Sequence, residues 1–309
     1  MQFSTTAINV LIMLAYAVPG YILVKVKAIK PESISAFAKV LLYVCQPCLS
    51  LYSFQKVTYS PELFANMGIF AGIDLGIMLI VLISTYLIFR KQYATESGPG
   101  YRACTIATCL GNVGFLGVPL LEALLPEYPE AVSYSAMFIV CMNVLSWTVC
   151  SVILTGDKKY VSIKKIFLNP PVLTLLVSLP LFFTKTALPD VLLSPVTLLG
   201  KMTTPLCMLI MGMRFATVRP KELFPDWRLY TTAMTKLVVM PMLAYLVTHW
   251  LPVDYSIKAT IVILCACPTA SVVLSLSEMY GTAQKTAANL VLTGTLFSMV
   301  TIPLVLLIL

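Results

Sequence analysis

Apolar stretches, separated by short polar connections, repeat along the whole chain. About 20 apolar residues in a row are enough for an α-helix to cross the hydrocarbon core of a bilayer. The pattern therefore predicts an all-α integral membrane protein with ten transmembrane helices. The predicted spans are 5–24, 33–54, 64–89, 101–125, 131–154, 168–184, 195–216, 229–250, 257–278 and 284–308.

Two of these spans contain residues that interrupt a helix. The fourth carries three glycines, an asparagine and a proline between Gly111 and Pro119, and the ninth carries Pro268 within residues 267–271. Glycine loses the most backbone entropy in a helix, and proline removes a hydrogen-bond donor. Backbone groups freed in this way are tolerated in a membrane only inside protein or beside water. Interrupted spans at matching places in two halves of a chain are typical of transporter binding sites.

The two halves of the chain have the same number of spans and interruptions at matching places. Five spans lie on either side of a basic connection. Because each half has an odd number of spans, the second half is inserted in the membrane in the opposite orientation to the first. A shift of 156 positions pairs Asn112 with Pro268 and Glu122 with Glu278. We therefore predict two inverted five-helix repeats, with the broken fourth and ninth helices meeting near mid-membrane. The predicted units of this one membrane domain are residues 1–154, a cytoplasmic linker 155–167 and residues 168–309.

The charges support a membrane protein rather than a soluble or nucleic-acid-binding one. The chain is 59% hydrophobic and only 11% charged, whereas soluble proteins carry about 25% charge. The net charge is +8, but 16 of the 21 Lys and Arg lie at the connections after the first, third, fifth, seventh and ninth spans. Such an excess marks cytoplasmic loops. The topology then places both termini outside the cell membrane, with the basic side attracted to anionic lipid.

Enzymatic chemistry finds no support in the sequence. The single histidine, His249, excludes a histidine metal cluster, and no nucleotide-binding or hydrolase motif is present. All nine cysteines lie in predicted spans and are expected to be small packing residues. The spacing of Cys45 and Cys48 resembles a redox motif. That motif requires a βαβ context, which the sequence does not predict here. We expect no metal or cofactor, and transport driven by gradients.

Two ionisable residues, Asp74 and Lys236, lie in the middle of predicted spans. An ionised group at the bilayer centre costs at least about 2.5–3.5 kcal/mol, so both are expected to face protein or water. Gly72 belongs to a small-residue stripe with Gly68 and Gly76 and lies about 200° around the helix from Asp74. We expect the stripe to pack on a neighbouring helix. Asp74 is then either a proton- or cation-coupling carboxylate or a structural ion pair with Lys236.

The interrupted helices themselves favour a negatively charged ligand. Each restarts with free N–H groups and a partial positive charge. The amide of Asn112 needs a hydrogen-bond partner, which is either exposed backbone or a ligand. Thr269 and Ser271 add hydroxyls, although such hydroxyls often bond to their own backbone. Candidate substrate-binding residues are Asn112, Gly111, Gly114, Pro119, Pro268, Thr269 and Ser271.

Two further carboxylates, Glu122 and Glu278, each follow a break by about three turns. Their position near the end of a span admits two interpretations, a solvated interfacial carboxylate or an ion-coupling group. The candidate ion-coupling residues are therefore Asp74, Lys236, Glu122 and Glu278.

Stretches in three of the predicted helices resemble the auxin efflux carrier family, in its bacterial branch. Residues 112–120 are similar to its fourth-helix motif, residues 267–271 and 277–281 to its ninth helix, and residues 295–304 to its closing helix. The resemblance covers essentially the whole chain. It implies two inverted five-helix repeats whose fourth and ninth helices cross at their breaks, as in the wider bile acid/sodium symporter-like superfamily.

That resemblance also implies secondary transport of organic anions, such as auxins in plant members and carboxylates such as malate or malonate in some bacterial ones. Asn112 and Pro119 match the first crossing and Pro268 the second, while Asp74 matches an acidic residue tied to proton effects. Glu122 stands where the plant carriers have a lysine, which argues against auxin itself. A homodimer is compatible with the resemblance.

The sequence leaves three interpretations. The first is a carrier that moves a small organic anion by alternating access, with or without coupling to protons or a monovalent cation. The second is a membrane-embedded sensor or channel with the same fold, and the absence of a soluble signalling domain disfavours a sensor. The third, an intramembrane enzyme, lacks a catalytic constellation.

Overall fold

A computed structural model gives the fold and describes residues 15–162, 164, 168, 170–217 and 226–309. Residues 5–14 of the first predicted span, and 163 and 165–167 of the predicted linker, lie outside the described residues. The regular structure of the described part is helical, with one isolated β-bridge and no strand.

The helices are numbered here in chain order. Six of them are long and apolar enough to cross a membrane, as expected of an integral membrane protein. These six are α2 (Pro31–Lys56), α3 (Pro61–Ala94), α5 (Glu130–Thr155), α7 (Asp190–Thr217), α8 (Trp227–Trp250) and α10 (Gln284–Ile308). The remaining ones are α1 (Ala17–Lys25), α4a (Gly98–Ala107), α4b (Val113–Leu124), α6 (Pro170–Phe183), α9a (Tyr255–Cys265) and α9b (Val272–Met279).

Short polar signals set the ends of the long helices. The Ser60 hydroxyl accepts a hydrogen bond from the Leu63 N–H at 3.0 Å, and Pro61 occupies the first turn of α3, because both residue types suit a helix start. The Asp226 carboxylate caps α8 by accepting from the Arg228 N–H at 3.1 Å. Hydrogen bonds from Arg228 lower the pKa of Asp226. α5 ends at Gly156, whose φ of 78° favours glycine.

Wide π-helical turns precede three prolines inside the helices. The turns span Leu41–Cys45, Val113–Gly117 and Thr235–Val239, and each ends two residues before a proline. Proline lacks an N–H and clashes with the carbonyl four residues earlier, and a π turn accommodates both effects. These turns set the local geometry around Gln46, Gly114 and Lys236.

The helices pack as two groups. In the first, α1 packs along α7, while α2 packs on α6 and α7. In the second, α3, α5, α8 and α10 surround the broken helices α4a–α4b and α9a–α9b. The groups meet where α7 contacts α4b and where α2 and α6 contact α5.

Two glycines bring α1 and α7 into backbone contact. A Cβ at Gly20 would overlap the Leu209 carbonyl, and a Cβ at Gly212 would overlap the Ala17 carbonyl. The stripe Gly68, Gly72 and Gly76 behaves otherwise, since nothing lies within 4 Å of a Cβ built on any of them. Our expectation that this stripe packs on a neighbouring helix of the chain is wrong, because that face of α3 lies on the outside of the second group.

All nine cysteines are free. Eight are buried and Cys48 is partly buried, so they act as small apolar packing residues.

Candidate functional site

The two interrupted segments pair with each other in the interior of the second helix group. α4a ends at Ala107 and α9a ends at Cys265, and the chain leaves the helical path after each. Gly111 and Thr269 form the isolated β-bridge. The Asn112 N–H donates to the Pro268 carbonyl at 2.7 Å, and the Ala270 N–H donates to the Leu110 carbonyl at 2.9 Å. Each break thereby satisfies backbone groups of the other, as a low-dielectric environment requires.

Small residues at the breaks make this approach possible. A Cβ on Gly111 would lie 3.2 Å from the Lys236 Nζ, and one on Gly117 would lie 2.7 Å from Leu264 Cδ2. The Thr269 hydroxyl donates to the Ala107 carbonyl at 3.2 Å and caps the end of α4a. Thr269 therefore holds the crossing together and does not present its hydroxyl to a ligand.

Donor groups collect where α4b begins. Asn112 is partly exposed, and among the described residues its side-chain amide has no hydrogen-bond partner. Its carbonyl accepts from the Leu116 N–H at 3.0 Å and from the Gly117 N–H at 3.2 Å. This wide first turn leaves the N–H groups of Gly114 and Phe115 without a backbone acceptor in the described part of the chain. Free N–H groups at a helix start bind anions.

A cavity of about 40 Å³ lies beside this turn, at the boundary of the two helix groups. Its wall includes Gln46 and Ser50 of α2, Gly114 and Val118 of α4b, and Val132 and Ser135 of α5. A Cβ on Gly114 would overlap the Gln46 amide, so the glycine lets α2 approach the break. The Gln46 Nε2 is buried and has no hydrogen-bond partner among the described residues. A buried donor of this kind costs free energy unless a ligand or water accepts from it.

Sequence reasoning did not select Gln46, Ser50 or Ser135 as site residues. The available signal was Gln46 itself, an amide next to Pro47 within an apolar span, because a buried amide needs a partner. The two serines carry no pattern that marks them in the sequence.

Asp74 and Lys236 are both completely buried. The Lys236 ammonium donates to the Cys265 carbonyl at 2.9 Å and to the Met240 Sδ at 3.2 Å. It thus lies at the negative end of α9a, where a cation is favoured. Neither Asp74 oxygen has a hydrogen-bond partner among the described residues, although the Cys141 thiol lies against the carboxylate.

The two opposite charges act on each other electrostatically but form no direct salt bridge in the described structure. Lys236 also borders the first break through Gly111. The pair therefore belongs to the crossing of the two broken helices.

The two glutamates lie away from this centre. Glu122 is partly buried near the end of α4b, with its Oε2 3.5 Å from the Thr204 hydroxyl, and the charges of Lys56 and Lys201 act on it. Glu278 is exposed near the end of α9b, where its charge acts on Arg214. The structure therefore does not bring Glu122 or Glu278 together with Asp74.

The other predicted residues take structural positions. Pro119 is buried in α4b, two residues after its π turn. The Pro268 carbonyl receives the Asn112 N–H, and Ser271 precedes α9b and is partly exposed. Asn112 and Gly114 are thus the predicted residues nearest to unpaired donors. No group of three His, Cys, Asp or Glu side chains in the described part is placed to hold a metal ion.

Comparison with known proteins identifies the family. None of the curated proteins compared with the chain matches it. The family model described as membrane transport protein matches residues 5–164 and 159–306, which together span nearly the whole chain. The match agrees with the resemblance carried by residues 112–120 and 267–271. The chain belongs to the membrane transport protein family, which is the family of the auxin efflux carriers.

Proposed function

We propose that this membrane transport protein is a secondary carrier that moves a small organic anion across the cytoplasmic membrane by alternating access. The observation that carries the proposal is the cavity beside the paired breaks, with unpaired donors from Gln46 and from the first turn of α4b. Preorganised donors in a site shielded from water favour a carboxylate.

The packing of the helices supports alternating access. The cavity lies between α2 of one helix group and α4b and α5 of the other. A site at such a boundary opens to either side when one group moves against the other, as rocking transporters do. We propose two inverted repeats, residues 1–154 and 168–309 joined by a linker at 155–167, each of which contributes helices to both groups. The breaks then lie at mid-membrane, and both termini lie outside the cell.

Uptake into proteoliposomes tests the proposal directly. Purified protein is reconstituted and given labelled mono- and dicarboxylates, with a pH gradient imposed and then collapsed. Counterflow of a labelled acid against the same unlabelled acid is the expected result. Saturable binding without flux would instead support the sensor, and flux that does not saturate would support a channel.

Asn112→Ala is expected to weaken substrate binding. A hydrogen bond to a charged group contributes about 1.5–3 kcal/mol, so the half-saturating concentration should rise about 10- to 100-fold. The measurement is saturation of counterflow, with Gln284→Ala, which removes an exposed amide at the start of α10, as the matched control. An unchanged half-saturating concentration in Asn112→Ala would remove the amide from the site.

We further propose that Asp74 couples transport to protons, with Lys236 as its permanent counter-charge. Asp74 is buried at the crossing with no salt bridge to Lys236 in the described structure, and a weak thiol donor, Cys141, lies against its carboxylate, so its oxygens can take up a proton. Asp74→Asn should make uptake insensitive to the imposed pH gradient, whereas Asp190→Asn, at an exposed start of α7, should leave the response intact. A wild-type pH response in folded Asp74→Asn protein would assign the carboxylate a structural role.

A further inference from the structure

We propose that the cavity selects a short monocarboxylate and rejects the dicarboxylate of the same chain length. The inference rests on the proposed carrier function and adds the charge and size of the substrate. It follows from which charged groups lie at the cavity and which of them already have partners.

The wall of the cavity is polar but uncharged. Gln46, Ser50 and Ser135 contribute an amide and two hydroxyls, and the remaining wall residues are glycine and aliphatic side chains. The Ser135 hydroxyl donates to the Val132 carbonyl at 2.6 Å. The free donors of the described residues are therefore the Ser50 hydroxyl, the Gln46 Nε2, the N–H groups at the start of α4b and, beside the cavity, the Asn112 amide. This set suffices for one carboxylate, which accepts through two oxygens.

The cation nearest to the breaks, Lys236, already has partners. The Lys236 ammonium donates to the Cys265 carbonyl and faces the buried Asp74 charge. Moving it toward a second substrate carboxylate would break its hydrogen bond to the Cys265 carbonyl and leave that buried acceptor unpaired, which costs free energy.

Arg214 of α7 is engaged by the charge of Glu278, and two other cations lie near the far end of α4b. Lys56 and Lys201 both lie near the Tyr52 ring, with Nζ-to-centroid distances of 4.2 and 5.9 Å. Their charges act on Glu122, which is eight residues beyond Gly114 and therefore about 12 Å along the helix. A second carboxylate on a short chain does not reach these lysines from the Gly114 wall, and Glu122 repels it on the way.

The size of the cavity adds a limit on length. Its volume is only about 40 Å³. A short acid with an apolar or weakly polar tail fits this space beside Val118 and Val132, whereas a second ionised group would be buried among apolar atoms without a cation.

The test compares acids that share a carbon chain and differ by one carboxylate. Wild-type protein in proteoliposomes is given labelled propionate or malonate, then butyrate or succinate, at a slightly alkaline pH at which every carboxyl is ionised. After subtraction of uptake into protein-free vesicles, which short protonated acids enter unaided, we expect each monocarboxylate to be preferred by about 100-fold or more at low concentration. Equal or preferred uptake of malonate or succinate overturns this inference and leaves the carrier function standing. Failure of all four acids to bind or to move overturns the carrier function and this inference together.

A second experiment places a positive charge in the wall of the cavity. Gln46→Lys is expected to shift the ratio of malonate to propionate uptake in favour of malonate by about 10-fold or more. Gln46→Met removes the amide without adding charge and should weaken propionate uptake without admitting malonate. A folded Gln46→Lys protein whose ratio equals that of Gln46→Met would show that the second carboxylate does not enter this cavity, and would overturn the inference.

Discussion

Lys236→Met should lose about 3–5 kcal/mol of folding stability, one of the two largest effects that we expect from a single substitution. The ammonium is completely buried, so the methionine leaves the Asp74 carboxylate in the interior without an opposite charge. It also removes the donor of the Cys265 carbonyl at the end of α9a. The measurement is the thermal unfolding midpoint of detergent-purified protein, together with the fraction that remains monodisperse.

Removing both charges separates electrostatics from packing. Asp74→Asn combined with Lys236→Met should recover at least about 2 kcal/mol relative to Lys236→Met alone, because no uncompensated charge remains buried. Lys285→Met, on an exposed position of α10, serves as the control and should unfold like the wild type. A Lys236→Met protein as stable as this control would contradict the assigned role of the buried lysine.

The positions of the breaks follow from local chemistry, which explains why the sequence predicts them. Glycine and proline weaken a helix wherever it lies, and both interruptions lie within the predicted fourth and ninth spans. The described helix ends lie within three residues of the prediction, except that α3 extends to Ala94 and not 89, and α7 begins at Asp190 and not at 195. Asp190 is polar and follows Pro189, so a hydropathy pattern alone starts the helix too late.

The partners of buried groups depend on tertiary packing, which one sequence does not contain. The sequence predicts that Asp74 and Lys236 face the interior, but it does not reveal that the Cys265 carbonyl receives the lysine. It likewise does not place Ser135 of α5 beside Gln46 of α2. Proline spacing predicts kinks, whereas the π turns that set the direction of Gly114 appear only in the structure.

The glycines illustrate the same limit. Gly68, Gly72 and Gly76 form a regular small-residue stripe, and nothing in the chain packs on it. Gly20 and Gly212 lie in different halves of the chain without such a pattern, yet both lie in backbone contact between α1 and α7. Spacing within one helix marks a face that allows close packing, and only the neighbouring helix decides whether that face is used.

Gly212→Ala is the second substitution with a large expected effect, and we expect it to destabilise the protein by at least about 3 kcal/mol. Its Cβ would overlap the Ala17 carbonyl, so α1 and α7 must separate along their shared face. Overpacking of a well-packed interior typically costs about 1–3 kcal/mol, and here the obstacle is backbone, which cannot change rotamer. The measurement is the unfolding midpoint together with recovery of monodisperse protein.

Gly72→Ala provides the matched control, since it is the same substitution in a helix whose glycine has nothing within 4 Å. Alanine is favoured over glycine in a helix interior by about 1 kcal/mol, so Gly72→Ala should be neutral or slightly stabilising. The two variants therefore differ in the sign of their effect, although their helix propensity changes equally. If Gly212→Ala were as stable as Gly72→Ala, the two helices would not be in backbone contact, and the first helix group would have to be assembled differently.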